Sequence, residues 1–133
     1  GLAEAALKLM CERSLNREAF GRPLAKLGGN GDIIAQARID IEMTRLLCLK
    51  AAWLMDHEGT DAAQPFISMI KVAAPNMALK IIDEAMQMYG GIGLSQDTPL
   101  ATWYGAQRTL RFADGPDSVH RMVIARRELS QYR

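Results

Sequence analysis

The stretch from Ala62 to Gly93, AAQPFISMIKVAAPNMALKIIDEAMQMYGGIG, decides the fold. Ile67, Ile70, Ala74, Met77, Ile81 and Met88 recur at steps of three, four and seven, the spacing of one face of an α-helix. The run predicts a helix from Ala62 to Tyr89, about eight turns long. Pro75 lies inside it. Its ring removes a backbone donor and crowds the preceding turn, so the segment is either one helix kinked at Pro75 or two shorter helices meeting there. Gly90-Gly91-Ile92-Gly93 ends it.

On the N-terminal side, Asp32 to His57 predicts a second long helix, with Asp32 as cap or first-turn acid. Ile33, Ala37, Ile41, Arg45 and Leu49 trace one face. Leu46 to Met55 is apolar nearly all round, which predicts that this helix is central in the core. Glu58-Gly59-Thr60-Asp61 separates the two long helices. Leu2 to Arg13 predicts a first helix with Leu2, Ala6, Leu7 and Met10 inward; Ser14-Leu15-Asn16 reads as its end or as a surface interruption. Gly21-Arg22-Pro23 breaks the chain, and Gly28-Gly29-Asn30-Gly31 marks a loop.

On the C-terminal side, Thr98-Pro99 offers a cap followed by proline at the first helical position. A shorter helix should run from there to Phe112. Gly115-Pro116-Asp117 repeats the device, and a last helix runs to Gln131 with Val119, Met122, Val123 and Leu129 inward. No alternating segment of useful length suggests strand. The fold class is all-α: an antiparallel four-helix bundle with an extra short helix. Residues 1–133 form one helical domain with one core.

Composition narrows the function. Sixteen basic against fifteen acidic residues leave a net charge of +1, which gives no electrostatic case for nucleic acid or an anionic membrane. No run approaches the roughly 18 apolar residues of a membrane span, so no transmembrane segment is expected. Cys11 and Cys48 stand apart in apolar helical contexts and read as buried thiols. His57 and His120 have no cysteine pair with which to bind zinc. Nucleophile-elbow, Walker and HExxH patterns are missing, and the glycines at 90, 91 and 93 do not match the dinucleotide fingerprint.

Four motifs nevertheless stand in register: Arg17-Glu18-Ala19-Phe20-Gly21, Gln87-Met88-Tyr89-Gly90-Gly91-Ile92-Gly93, Phe112-Ala113-Asp114-Gly115, and Arg121-Met122-Val123-Ile124-Ala125-Arg126. In order and spacing they resemble the C-terminal helical domain of the acyl-CoA dehydrogenase family, in its branch carrying Ala-Asp-Gly-Pro-Asp. The resemblance implies an FAD-dependent enzyme that converts an acyl-CoA thioester to the enoyl-CoA and passes electrons to an electron-transfer flavoprotein. It implies that residues 1–133 are the C-terminal fragment of a larger flavoenzyme, inactive alone, assembled as a homodimer or homotetramer. The location would be cytoplasmic in a bacterium, or the mitochondrial matrix in a eukaryote.

Residue by residue, the resemblance makes Asp114 the catalytic base, one methylene shorter than the family's usual glutamate, with the backbone N–H of Gly115 on the substrate thioester. It places Arg17, Phe20, Gln87, Gly90, Gly91, Pro116 and Ser118 at the cofactor. Each has a plainer reading. Arg17 is a solvated arginine near a helix end, and Phe20 a core or loop-anchoring aromatic. Gly90 and Gly91 are helix caps, although three glycines in four positions also suit close approach to a ligand. Asp114 is an N-cap of the last helix. His120 is a partly exposed helix residue or a pH-tuned partner of Asp114. Lys71 and Arg38, on apolar helices, read as snorkelling side chains.

The chain also departs from the pattern. Lys26-Leu27-Gly28-Gly29 replaces an expected glutamine, Pro116 stands where a flavin-contacting threonine is usual, and Ala113 replaces an aromatic before the base. An aspartate base also occurs in a nitroalkane-oxidising relative, which leaves that chemistry as an alternative. A non-catalytic oligomerisation module with Met-rich faces, eight methionines in all, is a second.

Overall fold

The structure, a computed structural model, describes residues 1–133. Helix α1 spans Leu2–Asn16, α2 Asn30–His57, α3 Thr60–Tyr89, α4 Gly91–Leu94, α5 Leu100–Thr109 and α6 Asp117–Ser130. Between α1 and α2, strands β1 (Glu18–Ala19) and β2 (Arg22–Pro23) pair antiparallel, and a 3-10 turn follows at Leu24–Lys26.

Helices α1, α2 and α3 run up, down and up. Lys80 on α3 pairs with Asp40 on α2, and Tyr89 at the end of α3 reaches back to the carbonyl of Leu9 on α1. The fourth column of the bundle is split. The α5 helix descends beside the C-terminal half of α3, and α6 continues downward beside its N-terminal half, where Ile124 and Arg127 border a hollow with Pro65 and Met69. The break between them, Leu110 to Pro116, lies against the middle of α3. This is the expected four-helix bundle with short additions.

The core is made by α3. Ala78, Ile81, Ile82, Ala85 and Met88 pack against Ala3, Ala6, Leu7 and Met10 of α1, Ala37 and Ile41 of α2, and Leu100 of α5. Helix α3 is continuous through both Pro65 and Pro75, so the two-helix alternative is excluded. It is also long and apolar enough, by length and composition, to cross a membrane, contrary to the expectation from the sequence. Its apolar residues include those that form the core of this bundle.

Helix α2 was expected at the centre and is not there. Only Ala37, Ile41, Ala51 and Leu54 are buried. Ile39, Met43, Leu46, Leu49 and Trp53 are each at least half exposed and form an outward apolar stripe. The cause is coverage: α1 and α3 occupy one side of α2, and no element of the chain covers the other. The α6 helix differs in the same way. Val119, Met122 and Leu129 face outward, while Val123 and Ile124 are half-buried. Cys11 and Cys48 are free and half-buried rather than buried.

Several boundaries move. Helix α1 continues through Ser14, whose hydroxyl donates to the Cys11 carbonyl. Thr98 does not cap α5 through its side chain; its hydroxyl turns back to the carbonyl of Ile92. The Arg17–Pro23 segment contains a two-residue hairpin that alternation could not reveal, because each strand is two residues long.

Candidate functional site

The loop that breaks the fourth column is built around Asp114. Arg111 and Asp117 close it twice: the Asp117 N–H donates to the Arg111 carbonyl at 3.0 Å, and Arg111 Nε donates to Asp117 Oδ2 at 2.9 Å. Asp114 is the middle residue of this closed loop. Its φ of +53° is left-handed, which an L-residue adopts at some cost. Gly115 follows at +97°, where a side chain would also meet His120 Nε2 at 3.1 Å.

Asp114 is not an N-cap. Helix α6 begins three residues later, at Asp117, with Pro116 in the cap position and no side-chain cap bond. The Asp114 carboxylate is exposed and forms no ion pair or hydrogen bond within the chain. His120 Nε2 lies 3.4 Å from the Asp114 backbone carbonyl, not from its carboxylate. Pro116 and Ser118 are exposed on the outer side of the same turn.

The sequence reading overlooked the residues that fasten this loop. Asp117 is buried, and Asn76 Nδ2 on α3 donates to its Oδ2 at 3.0 Å. Burial pushes the Asp117 carboxyl pKa up. Hydrogen bonds from Asn76 and Arg111, with the charges of Arg111 and Arg121, outweigh burial and hold it below the usual value. Lys71 carries its ammonium past the apolar face of α3, where it donates to the carbonyls of Leu110 and, at 3.4 Å, Gly115. Arg38 keeps its guanidinium at the surface, where it pairs with Glu4 and Glu42 beside Arg45. The hydrogen bond from Arg38, before any longer-range charge, lowers the Glu4 pKa. The signal available in the sequence was one charged residue on each otherwise apolar helix face.

The remaining candidates sit at the other end of the bundle. Arg13 of α1 lies over the Tyr89 ring and reaches the Tyr89 carbonyl, so the ends of α1 and α3 are neighbours. Arg17 follows α1 directly, exposed and without an ion pair. Phe20 and Gly21 form the hairpin turn with φ of +50° and +78°, the type I′ pattern. Phe20 is 95% exposed and therefore neither a core nor an anchoring residue. Gln87, in the last turn of α3, and Gly91, at the start of α4, are exposed.

The three glycines separate by cause. Gly90 ends α3 at φ +66°, ψ −144°, a region reserved for glycine. At Gly93 an added Cβ would lie 2.7 Å from the Met86 carbonyl oxygen. Gly91 has no neighbour within 4 Å and no internal reason to be glycine.

Along α3, Asn76 and Gly90 are 14 residues apart, about 21 Å. One chain therefore does not bring Asp114, Gly115, Pro116 and Ser118 together with Arg17, Phe20, Gln87, Gly90 and Gly91. The candidate residues fall into two separate groups.

Comparison with known proteins gives both regions a family. The family model described as acyl-CoA dehydrogenase, C-terminal domain, matches residues 1–129. The chain is 54% identical over 129 residues to acyl-CoA dehydrogenase family member 11 of Rattus norvegicus, covering 97% of this chain and 17% of that protein. A Mycobacterium abscessus structure, provisionally named an acyl-CoA dehydrogenase, superposes with a TM-score of 0.97 at 57% identity over 99% of this chain and 32% of its own. The butyryl-CoA dehydrogenase of Megasphaera elsdenii superposes at 0.88 with 31% identity, over 96% of this chain and 33% of its own. The chain thus spans a third or less of these relatives, across the C-terminal helical domain. On sequence and fold together, it belongs to the acyl-CoA dehydrogenase family.

Proposed function

We propose that this chain is the C-terminal helical domain of an FAD-dependent enzyme that oxidises the α,β bond of an acyl-CoA thioester to the enoyl-CoA. The observation that carries the reading is the Asp114 loop: a carboxylate free of partners, at the apex of a doubly closed turn, in a left-handed conformation. Strain of this kind persists where surrounding structure over-determines it, and it clusters at functional sites.

In this reading Asp114 removes the proton from the substrate α-carbon onto a carboxylate oxygen. The Gly115 N–H donates toward the thioester oxygen and makes that proton more acidic. FAD, when bound, supplies the acceptor for the hydride from the β-carbon. The residues present fit part of such a group. Arg17 offers an unpaired planar guanidinium suited to a pyrophosphate. Phe20 offers an exposed ring, and Gly91 backbone that a ligand can approach.

By family resemblance the two groups of residues, set apart along α3, serve the cofactors of different subunits. The Asp114 end faces the active site of one subunit, and the Arg17–Gly91 end grips the adenosine side of a neighbour's FAD. The outward apolar stripe of α2 supports an oligomer, dimer or tetramer. An electron-transfer flavoprotein reoxidises the flavin.

The test is Asp114→Asn in the complete enzyme. Reduction of bound flavin by acyl-CoA under anaerobic conditions should fall by at least about 10²-fold, general-base catalysis being worth about 10²–10⁴. Flavin content and assembly should stay unchanged. Flavin reduction at the wild-type rate would refute Asp114 as the base. Formation of aldehyde and nitrite from a nitroalkane, without enoyl-CoA, would refute the reaction.

A further inference from the structure

The loop bearing Asp114 has carbonyls that its own backbone does not satisfy. Neither Leu110 nor Gly115 accepts a turn or cap hydrogen bond from a backbone N–H. Both accept from one side chain, the ammonium of Lys71 on α3. Leu110 precedes the closed loop, and Gly115 immediately follows Asp114. One cation therefore grips the strand entering the loop and the strand leaving its apex.

The surroundings strengthen that grip. Lys71 borders a hollow of about 290 Å³ with Cys48, Ile67, Ile70, Ala74, Pro75 and Leu110. An ammonium on this apolar wall has few other protein partners, and hydrogen bonds from a charged donor are stronger than neutral ones. Asn76, on the same helix, holds Asp117 from the other side of the loop. The backbone fold of α3 is thus transmitted to Asp114 through two side chains five residues apart.

We propose that Lys71 is a positioning residue for the base: it ties Leu110 and Gly115 to α3 and so fixes where the Asp114 carboxylate stands. This rests on the reading of Asp114 as the base. Lys71 touches neither substrate nor cofactor in this role. Its loss lets the apex of the loop relax and the carboxylate drift. A drift near 1 Å in a reacting group costs about 10²-fold in rate.

The test uses the complete enzyme with Lys71→Met, which keeps the length of the stem and removes the donors. Lys71→Arg, which keeps a charged donor, and Asp114→Asn are prepared in parallel. Expected for Lys71→Met are a flavin-reduction rate lower by about 10²-fold, KM within about threefold of wild type, and faster amide hydrogen exchange confined to residues 110–117. Flavin content and assembly should be unchanged, and Lys71→Arg should recover at least about a tenth of the lost rate. If Lys71→Met does not fold, the rate and exchange of Lys71→Arg decide, with any loss again confined to kcat and to 110–117.

Full activity in Lys71→Met while Asp114→Asn is inactive would overturn the positioning role and leave the base assignment standing. Full activity in Asp114→Asn would overturn both.

Discussion

Replacing Asp117 by Ala tests whether the Arg111–Asp117 closure holds the break in the fourth column. Asp117 Oδ2 accepts from Arg111 Nε at 2.9 Å and Asn76 Nδ2 at 3.0 Å. Hydrogen bonds to a charged acceptor contribute about 1.5–3 kcal/mol each, so the gross loss is about 3–6 kcal/mol. Three features reduce it. The Arg111 side chain is 39% exposed and recovers hydration when released. Asn76 keeps its bond to the Val72 carbonyl. Asp117 Oδ1 is buried without a partner, and its desolvation cost disappears in the variant. The net expectation is about 2 kcal/mol, or about 8 °C in Tm for a chain of this size.

The loss should depend on pH in a defined direction. The folded carboxyl pKa lies below the ordinary 3.8. The ionised form is therefore favoured in the folded state, and its contribution is complete above the unfolded value and lost as pH falls through the folded one. Urea denaturation at pH 7, 5 and 3 should show a constant gap between wild type and Asp117→Ala at the two higher values. The gap should narrow at the lowest. A gap below about 0.5 kcal/mol at pH 7, or one undiminished at pH 3, would refute the closure.

Two further predictions concern the other group of residues. Gly93→Ala should destabilise by about 2–3 kcal/mol, because its Cβ would meet the Met86 carbonyl oxygen at 2.7 Å and must displace backbone; thermal denaturation checks this, and unchanged Tm would show that α4 packs elsewhere. Phe20→Asn should stabilise by about 0.5–1 kcal/mol, since asparagine tolerates positive φ far better than phenylalanine and the ring buries almost nothing. The same variant of the complete enzyme should retain less flavin through dialysis; undiminished retention would remove Phe20 from the cofactor site.

Helix α3 was legible as an element because its period, its length and the glycines that end it agree, but of its predicted inward residues only Ile81 and Met88 are buried, Ile67 being exposed and Ile70, Ala74 and Met77 half-buried. Helix α2 carries an equally strong apolar signal and was misplaced. Periodicity reports an apolar face, not which neighbour covers it. No element of this chain covers the stripe from Ile39 to Trp53. The hairpin was invisible because two-residue strands have no alternation. Asp114 was found by resemblance, but its left-handed φ was not, since nothing local distinguishes it from a capping aspartate. The fastening roles of Lys71, Asn76 and Asp117 were not legible for a third reason: their bonds span 39 to 44 residues of sequence.

On the proposed reading, the separation of the two groups of residues explains why a helical bundle suits this chemistry. A general base must be held in a conformation the isolated loop would abandon, whereas a cofactor grip needs exposed backbone and an unpaired cation. These demands conflict at one place in one chain. The bundle separates them by about 21 Å along a single continuous helix. At its middle, Lys71 and Asn76 impose order on the loop. At its end, Gly90 and the hairpin release backbone and ring to the outside. On the proposed reading, assembly then reunites what the chain divides, because the end of one copy's α3 meets the cofactor whose reacting end faces another copy's Asp114. A variant lacking only Asp114 and a variant lacking only Arg17, mixed as subunits of one oligomer, should therefore form some sites with both residues intact. Recovery of flavin reduction on mixing, from two inactive parents, is expected. If mixed oligomers form and no activity returns, both residues belong to the same subunit's site.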